Sequence, residues 1–429
     1  MRLFVQVTLG QSVELVPRVQ SPDVVRDARR IHRLLHSATR PWVHRRTHGK
    51  EASVRRRRCR MRAAVARGSG APIEIEEVEL DPPHWGEVVV RVEVTAVCRT
   101  DQLFMDDPVS PDRRLIPGHS ACGIVEQVGP GVTKTQVGDR VVVAGTMECG
   151  KCYPCQHGSP SQCERLWIEV PTPPVVGRTS SGVAVAGFGG AGTFAEYMKY
   201  REHCFAVVDS TLDARQLALL GCGGLSGVGA VWEVGRLKAG DSVAVVGCGH
   251  LGLWMIQAAK AAGASRIIAV DPLQERRAFA TMVGATDVVA PEDADEVVKG
   301  VTAGRGADLA LEATGEAGGD EQAFALCRNG GTVVATSMVA PLDSAMSHFP
   351  TNAVSMFGRV IVGSQSGGGF LNRDVQRVAS AIEAGLLDVD IMLSRAYTLD
   401  EAGEAMRAAV NRELITGVID MRGADGVTP

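Results

Sequence analysis

Three sets of residues in this 429-residue chain have the types and spacing to do chemistry. The tightest is Cys149, Cys152, Cys155 and Cys163, four thiols within fifteen positions. Four thiolates suffice to close a tetrahedral zinc site with no open position, and little else demands so many cysteines in so short a loop. A closed site cannot admit substrate. Its expected task is to hold the lobe 149–163 in shape, because the free energy of metal binding is folding free energy. A second set is dispersed: Cys98 in Cys98-Arg99-Thr100-Asp101, His119 in Gly118-His119-Ser120, and Cys222 in Gly221-Cys222-Gly223. Two thiols and an imidazole would leave one zinc position open. Spacing alone leaves this set undecided, since a lone cysteine also serves as a small buried hydrophobe and His119 also reads as a turn histidine.

The third set is Gly247-Cys248-Gly249-His250-Leu251-Gly252, which follows the apolar run Val243–Val246 and precedes the alanine-rich segment 251–262. A G-x-G-x-x-G between a buried strand and a helix is a strong dinucleotide signal. Gly247 makes the turn, Gly249 lets backbone approach a pyrophosphate, and Gly252 lets the helix pack on the strand. Leu251 opens that helix, whose N-terminal N–H groups and dipole favour phosphate, and His250 reads as structural. The next strand, Arg266–Val270, ends at Asp271, nineteen positions after Gly252. A carboxylate there accepts ribose hydroxyls and repels a 2′-phosphate, which favours NAD over NADP.

Two kinds of architecture must position these groups. From Met61 the pattern has period two: Ile73 and Ile75 alternate with Glu74 and Glu76, and Val90, Val92 and Val94 alternate with Arg91, Glu93 and Thr95. Such alternation predicts a β-rich domain over 61–228. After about residue 235, short apolar runs at Val243–Val246, Arg266–Val270, Asp287–Val289, Asp308–Glu312, Thr332–Thr336 and Val360–Gly363 are separated by helix-length segments. This predicts an α/β, doubly wound parallel sheet over 229–364. Residues 365–429 add no further strand–helix unit and are expected to re-enter the first domain.

Composition narrows the function classes. Residues 1–60 carry 15 Lys/Arg and 4 Asp/Glu, whereas the other 369 carry 30 and 45. The acidic body is a poor partner for nucleic acid or an anionic membrane, and no apolar run reaches the ~20 residues of a membrane helix. The basic stretch 1–60 has little apolar periodicity and is expected to be an unstructured extension, with Met61 a natural start. The eleven cysteines are odd in number and follow no apolar secretory signal, which points to a reducing, cytoplasmic setting.

From Met61 to about Met421, roughly 360 of the 429 residues, the chain resembles the zinc-dependent medium-chain alcohol dehydrogenases. The resemblance rests on the joint order of Cys98-Arg99-Thr100-Asp101, Gly118-His119, Val137-Gly138-Asp139-Arg140-Val141, the four-cysteine lobe, Gly221-Cys222-Gly223 and the fingerprint ending in Asp271. The 58 residues between Cys163 and Cys222 look closer to the longer animal-type and formaldehyde-dehydrogenase branch. The resemblance implies a GroES-like catalytic domain around a Rossmann domain, assembled as a homodimer or homotetramer. It implies that Cys98, His119 and Cys222 ligate a catalytic zinc and that Cys149, Cys152, Cys155 and Cys163 ligate a structural one. Asp101 would orient His119, Thr100 would relay the alcohol proton, Arg99 would meet the pyrophosphate, and Arg276 would lie near the adenosine ribose.

Three positions depart from the family pattern. Ser120 stands where a glutamate usually follows the ligand histidine, Leu103 stands where the relay commonly ends in histidine, and Ala144-Gly145-Thr146 replaces a common aromatic, suggesting room for a bulky substrate. The implied reaction is NAD-linked interconversion of an alcohol and an aldehyde or ketone, with a small-molecule substrate and two zinc ions per chain. Ser120 and Leu103 also motivate an alternative on the same fold: reduction of an activated C=C or C=N bond or of a specialised carbonyl. A nucleic-acid-binding role for the basic arm is the reading of another class, and the acidic body opposes it.

Overall fold

The computed structural model describes residues 59–68, 70–106, 114–146, 148–169, 173–339 and 345–423. The expectation for residues 1–58 lies outside them. The first strand is Cys59–Ala66, so the described fold begins two residues before Met61, with Cys59 and Arg60 paired to Leu80 and Glu79.

The first domain has two sheets. A closed barrel is formed by Cys59–Ala66, Ile73–Leu80, Val175–Thr179, Ala184–Gly187 and Arg114–Ile116. Beside it, a second sheet runs in the order Phe205–Val207, Arg140–Val143, Ala121–Val128, Glu87–Ala96, Gly417–Asp420, Arg395–Tyr397, and Tyr197–Arg201 also pairs with Glu87–Ala96. The period-two pattern has the expected cause. In Glu87–Ala96, Val90, Val92 and Val94 are buried while Arg91 and Glu93 are half-exposed. The strands Arg395–Tyr397 and Gly417–Asp420 show the chain's C-terminal part re-entering this sheet.

Six parallel strands form the third sheet, in the order Asp287–Val289, Arg266–Val270, Ser242–Val246, Ala307–Glu312, Cys327–Ala335, Val360–Gly363. The central strand Ser242–Val246 is buried along its whole length, which explains why its sequence is a continuous apolar run rather than an alternating one. The chain order reverses beside this strand, between Ser242–Val246 and Ala307–Glu312. That switch point is where open α/β sheets bind ligands.

A helical run joins the two domains: Ala214–Ala218, a π-helical turn Leu220–Gly224, then Leu225–Gly229 and a second π turn Ala230–Val234. The expected domain boundary at 228/229 thus falls within continuous helix. Its first turn is tied to the C-terminal strand by an ionic cluster. Arg215 Nε and Arg422 Nη2 donate to Asp420 Oδ2 at 2.7 and 2.8 Å, and Arg422 Nη1 reaches Asp213, the helix N-cap, at 3.0 Å. Burial raises the Asp420 carboxyl, but Arg422 and Arg215 outweigh it and hold it below the usual range.

A depressed folded-state pKa means that the cluster's stabilisation is present above the ordinary aspartate pKa of about 3.9 and is lost as pH falls through the lower folded value. Asp420→Asn should therefore cost about 1–3 kcal/mol at pH 7, read from urea midpoints. The gap between wild type and variant should narrow below pH 4. A gap as wide at pH 3 as at pH 7 would show that Asp420 is not ion-paired in the folded chain.

Candidate active site and cofactor cleft

Cys98 caps the short helix Arg99–Met105 directly after the strand Glu87–Ala96. His119 lies in the loop between the strands Arg114–Ile116 and Ala121–Val128, and Cys222 sits in the π turn Leu220–Gly224. A π turn offsets the helix by one residue and recurs at functional sites. The folding brings the three together: Cys98, His119 and Cys222 each offer a ligand atom, and these atoms all lie within 4.8 Å of one another. His119 Nε2 is 3.2 Å from Cys222 Sγ.

Asp101 stands behind them, 1% exposed. Its Oδ1 accepts from His119 Nδ1 at 2.8 Å and from the Gly118 N–H at 2.9 Å, while Oδ2 accepts from the Cys98 N–H at 3.3 Å. With Nδ1 turned to a carboxylate, the imidazole presents Nε2 to the thiols, the arrangement that fixes a ligating histidine. The neighbouring Cys222 thiol and the His119 ring, against the cost of burial, hold Cys98 well below the ordinary thiol range. Two soft thiols and an imidazole around one point, with a carboxylate on the far ring nitrogen, fit a zinc ion with an open position.

Cys149, Cys152, Cys155 and Cys163 likewise converge within 4.8 Å, and none is in a disulfide. Cys149 Sγ accepts N–H donation from Cys152 at 3.3 Å and Lys151 at 3.5 Å. Burial opposes ionisation of Cys152, but the N–H groups of Cys155 and Glu164 bring it down to about 6. Backbone donors aimed at sulfur stabilise thiolates, so this set fits a closed four-sulfur zinc site.

Both the open set and the fingerprint loop face one cleft of about 720 Å³. The three fingerprint glycines differ as their tasks require. Gly247 has φ +95°, and a Cβ on Gly252 would lie 1.8 Å from the Gly247 carbonyl oxygen. A Cβ on Gly249 would meet nothing within 4 Å, so the backbone there is open to a close-fitting ligand. Leu251 also lines the cleft. Asp271 lines it too, 8% exposed, with Oδ2 accepting from the Cys248 N–H at 2.8 Å and Oδ1 from the Leu273 N–H at 2.9 Å. Each oxygen keeps a further lone pair for a ribose hydroxyl.

The structure gives several of these residues further contacts. Arg276 lines the cleft, and its Nη2 donates to the carbonyls of Arg412 and Leu414 at 2.6 and 2.7 Å, so it also clasps the returning chain; its Nη1 is buried without a hydrogen-bond partner. Arg99 is not a free cation but pairs with Glu316 at 3.1 Å. His250 is more than structural. It lines the cleft, hydrogen-bonds Thr416 Oγ1 through Nδ1, and packs where a Cβ on Gly223 would sit, and burial pushes it down to about 4, leaving it neutral. The smallness of Gly145 has a local cause: a Cβ there would lie 3.0 Å from His119 Cβ. Ala144 is buried in the core rather than lining the cleft.

The bulk of the wall comes from residues the sequence reading passed over. The rings of Phe104 and Phe188 stand 4.6 Å apart, and Phe188 meets the His119 ring edge-on at 5.2 Å. Leu166 reaches the same wall from the helix beyond the cysteine lobe. Local spacing carries no signal for these contacts. Thr100 and Leu103 line the cleft as expected, and Ser120 Oγ donates to the Ala218 carbonyl at 2.6 Å.

Residues 84–210 match the model of the alcohol dehydrogenase GroES-like domain, and residues 251–384 match that of zinc-binding dehydrogenases. The chain is 33% identical over 383 residues to an NDMA-dependent alcohol dehydrogenase of Amycolatopsis methanolica, covering 85% of this chain and 99% of that protein. Its structure is similar to that of benzyl alcohol dehydrogenase from Acinetobacter calcoaceticus, with TM-score 0.77, 30% identity, and coverage of 84% of this chain and 99% of that one. It is also similar to an NADP-bound structure from Sinorhizobium meliloti 1021 described as a zinc-binding dehydrogenase, with TM-score 0.68, 26% identity, and coverage of 84% and 99%. The chain belongs to the zinc-dependent medium-chain alcohol dehydrogenase family and is an oxidoreductase of that family.

If Asp101 orients His119, Asp101→Ala should lower zinc retention at the open set, or activity, by roughly 10–100-fold. Asp101→Asn, which keeps an acceptor oxygen, should lose less. Competition against a chromophoric chelator measures this, and wild-type retention in Asp101→Ala would refute the role.

Proposed function

We propose that the protein is a zinc-dependent, NAD-linked alcohol dehydrogenase with two zinc ions per chain, interconverting an apolar alcohol and its aldehyde or ketone. The observation that carries this reading is the meeting of Cys98, His119 and Cys222 with the fingerprint loop in one cleft. When bound, zinc at that set supplies Lewis acidity at the substrate oxygen and the nicotinamide supplies the hydride acceptor.

The chain's own residues supply alignment and proton handling. Asp101 holds His119 in the tautomer that leaves Nε2 unprotonated. Thr100, in the first turn of its helix and lining the cleft, would accept the alcohol proton through its hydroxyl. Leu103, which lines the same cleft, carries no ionisable group and would relay no proton. Ser120 is committed to the Ala218 carbonyl and serves the backbone rather than the metal. Phe104, Leu166 and Phe188 offer an apolar wall that suits an apolar substrate and excludes water from the hydride path. The four-cysteine set holds the second zinc and fixes the lobe that presents Leu166.

Asp271 supports NAD as the cofactor, because a 2′-phosphate beside a buried carboxylate is repelled. The eleven unpaired cysteines support a cytoplasmic setting. No helix among the described residues is long and apolar enough to cross a membrane, and neither a membrane nor a nucleic-acid partner is proposed. A homodimer or homotetramer is supported by the open sheet edge at Val360–Gly363, where Val360 and Ile361 are 48% and 37% exposed. An apolar edge left open invites pairing with another strand.

A panel of primary, aromatic and thiol-adduct alcohols, followed by absorbance of the reduced cofactor, tests the reading. Turnover is expected with NAD, to be abolished when the catalytic zinc is removed, and Asp271→Ser should raise the relative use of NADP. A wild-type preference for NADP would overturn the cofactor assignment, and alcohol oxidation undiminished in zinc-free protein would overturn the mechanism.

A further inference from the structure

Glu316 follows the strand Ala307–Glu312 of the nucleotide-binding sheet, yet its carboxylate is engaged by the catalytic domain. Its Oε1 accepts from Arg99 Nη1 at 3.1 Å and also from Arg412 Nη2. The three side chains line the same cleft and are each about half-exposed. Neither end of this bridge is loose. Glu312 Oε1 accepts the N–H groups of Thr314 and Gly315, and Thr314 Oγ1 accepts that of Glu316 at 3.0 Å. On the other side, Arg412 has φ +61°, a left-handed conformation costly for a side-chain-bearing residue. Arg276 holds that turn by donating to the Arg412 and Leu414 carbonyls.

One carboxylate oxygen is thus held between two guanidiniums in the lining of a cleft that the N-terminus of the helix His250–Ala261 also lines. A dinucleotide seated on that N-terminus brings a diphosphate, whose several oxygens and greater negative charge compete for the two guanidiniums against the single carboxylate oxygen of Glu316. The N–H that Arg99 gives to Glu316 is not available to a diphosphate, and the carboxylate repels a second anion brought to the same two guanidiniums. We propose that Glu316 is an internal counter-anion that the cofactor's diphosphate displaces from Arg99 and Arg412. It keeps the two cations paired in the empty cleft, weakens cofactor binding by the ion pairs that must be broken, and re-forms them as the cofactor leaves. The Glu316 side chain is half-exposed, so once displaced it can turn into water by rotation about its own χ angles while its backbone stays held. This inference rests on the dinucleotide reading of the cleft.

The test measures dissociation constants of NADH, ADP and adenosine for wild type, Glu316→Gln and Glu316→Gln/Arg412→Met, at low and high salt. Two half-exposed ion pairs predict that Glu316→Gln binds ADP and NADH roughly 2- to 30-fold more tightly. Adenosine, which has no phosphate, should be unaffected, and the gain should shrink at high salt. Adding Arg412→Met should remove most of the gain. Unchanged or weaker ADP binding by Glu316→Gln, or an equal gain for adenosine, overturns the counter-anion role. Failure of wild type to bind either NADH or ADP would instead remove the dinucleotide reading on which the inference stands.

Discussion

The buried carboxylate of Asp101 ties the start of its own helix to the loop that carries His119, two stretches that follow and precede paired strands. It accepts from the N–H groups of Cys98 and Gly118 and from the ring of His119, so one side chain sets the start of a helix, the course of a loop and the direction of an imidazole. An ionised group so deeply buried is tolerated only when its oxygens are hydrogen-bonded. Here that requirement coincides with what the open metal set needs. Cys222 then has to arrive from the far side, and the π turn Leu220–Gly224 delivers it, anchored by the arginine–aspartate cluster at Asp420. The barrel and its neighbouring sheet serve as the frame that holds these three arrivals in register.

The second organising feature is the segment 412–416, which belongs to the chain's return into the first domain yet is gripped by the nucleotide-binding domain at three points. Arg276 holds its carbonyls, Glu316 holds the Arg412 side chain, and His250 holds Thr416. All of these residues line the cleft. Cofactor binding and the seam between the domains are therefore built from the same side chains, and a ligand that draws on one alters the other.

What the sequence made legible was local. The strands Arg266–Val270, Asp287–Val289 and Val360–Gly363 have the bounds expected from their short apolar runs; the first is buried along most of its length, where a parallel strand needs an unbroken apolar stretch, and the other two are edge strands rich in β-branched residues. The fingerprint glycines were readable for the same reason: each answers a constraint within a few residues. The four-cysteine set was readable from spacing alone. The open set was not, since Cys98, His119 and Cys222 are brought together only by sheet register and the π turn; the family resemblance supplied it. The ties of Arg276, Arg99 and His250 were missed because their partners, at 412, 414, 316 and 416, lie 136 to 217 positions away. The aromatic wall of Phe104 and Phe188 was hidden likewise: the two rings come from elements 84 positions apart.

The central claim is that this chain builds one closed four-sulfur zinc site and one open two-sulfur, one-nitrogen site. Zinc K-edge X-ray absorption of the purified protein, with the metal counted on the same sample, tests it most directly. Two zinc ions per chain are predicted, with an average first shell of about three sulfurs and one nitrogen or oxygen, the mean of the two sets. One zinc per chain or none, or a two-zinc sample whose average shell holds fewer than two sulfurs, would contradict the account.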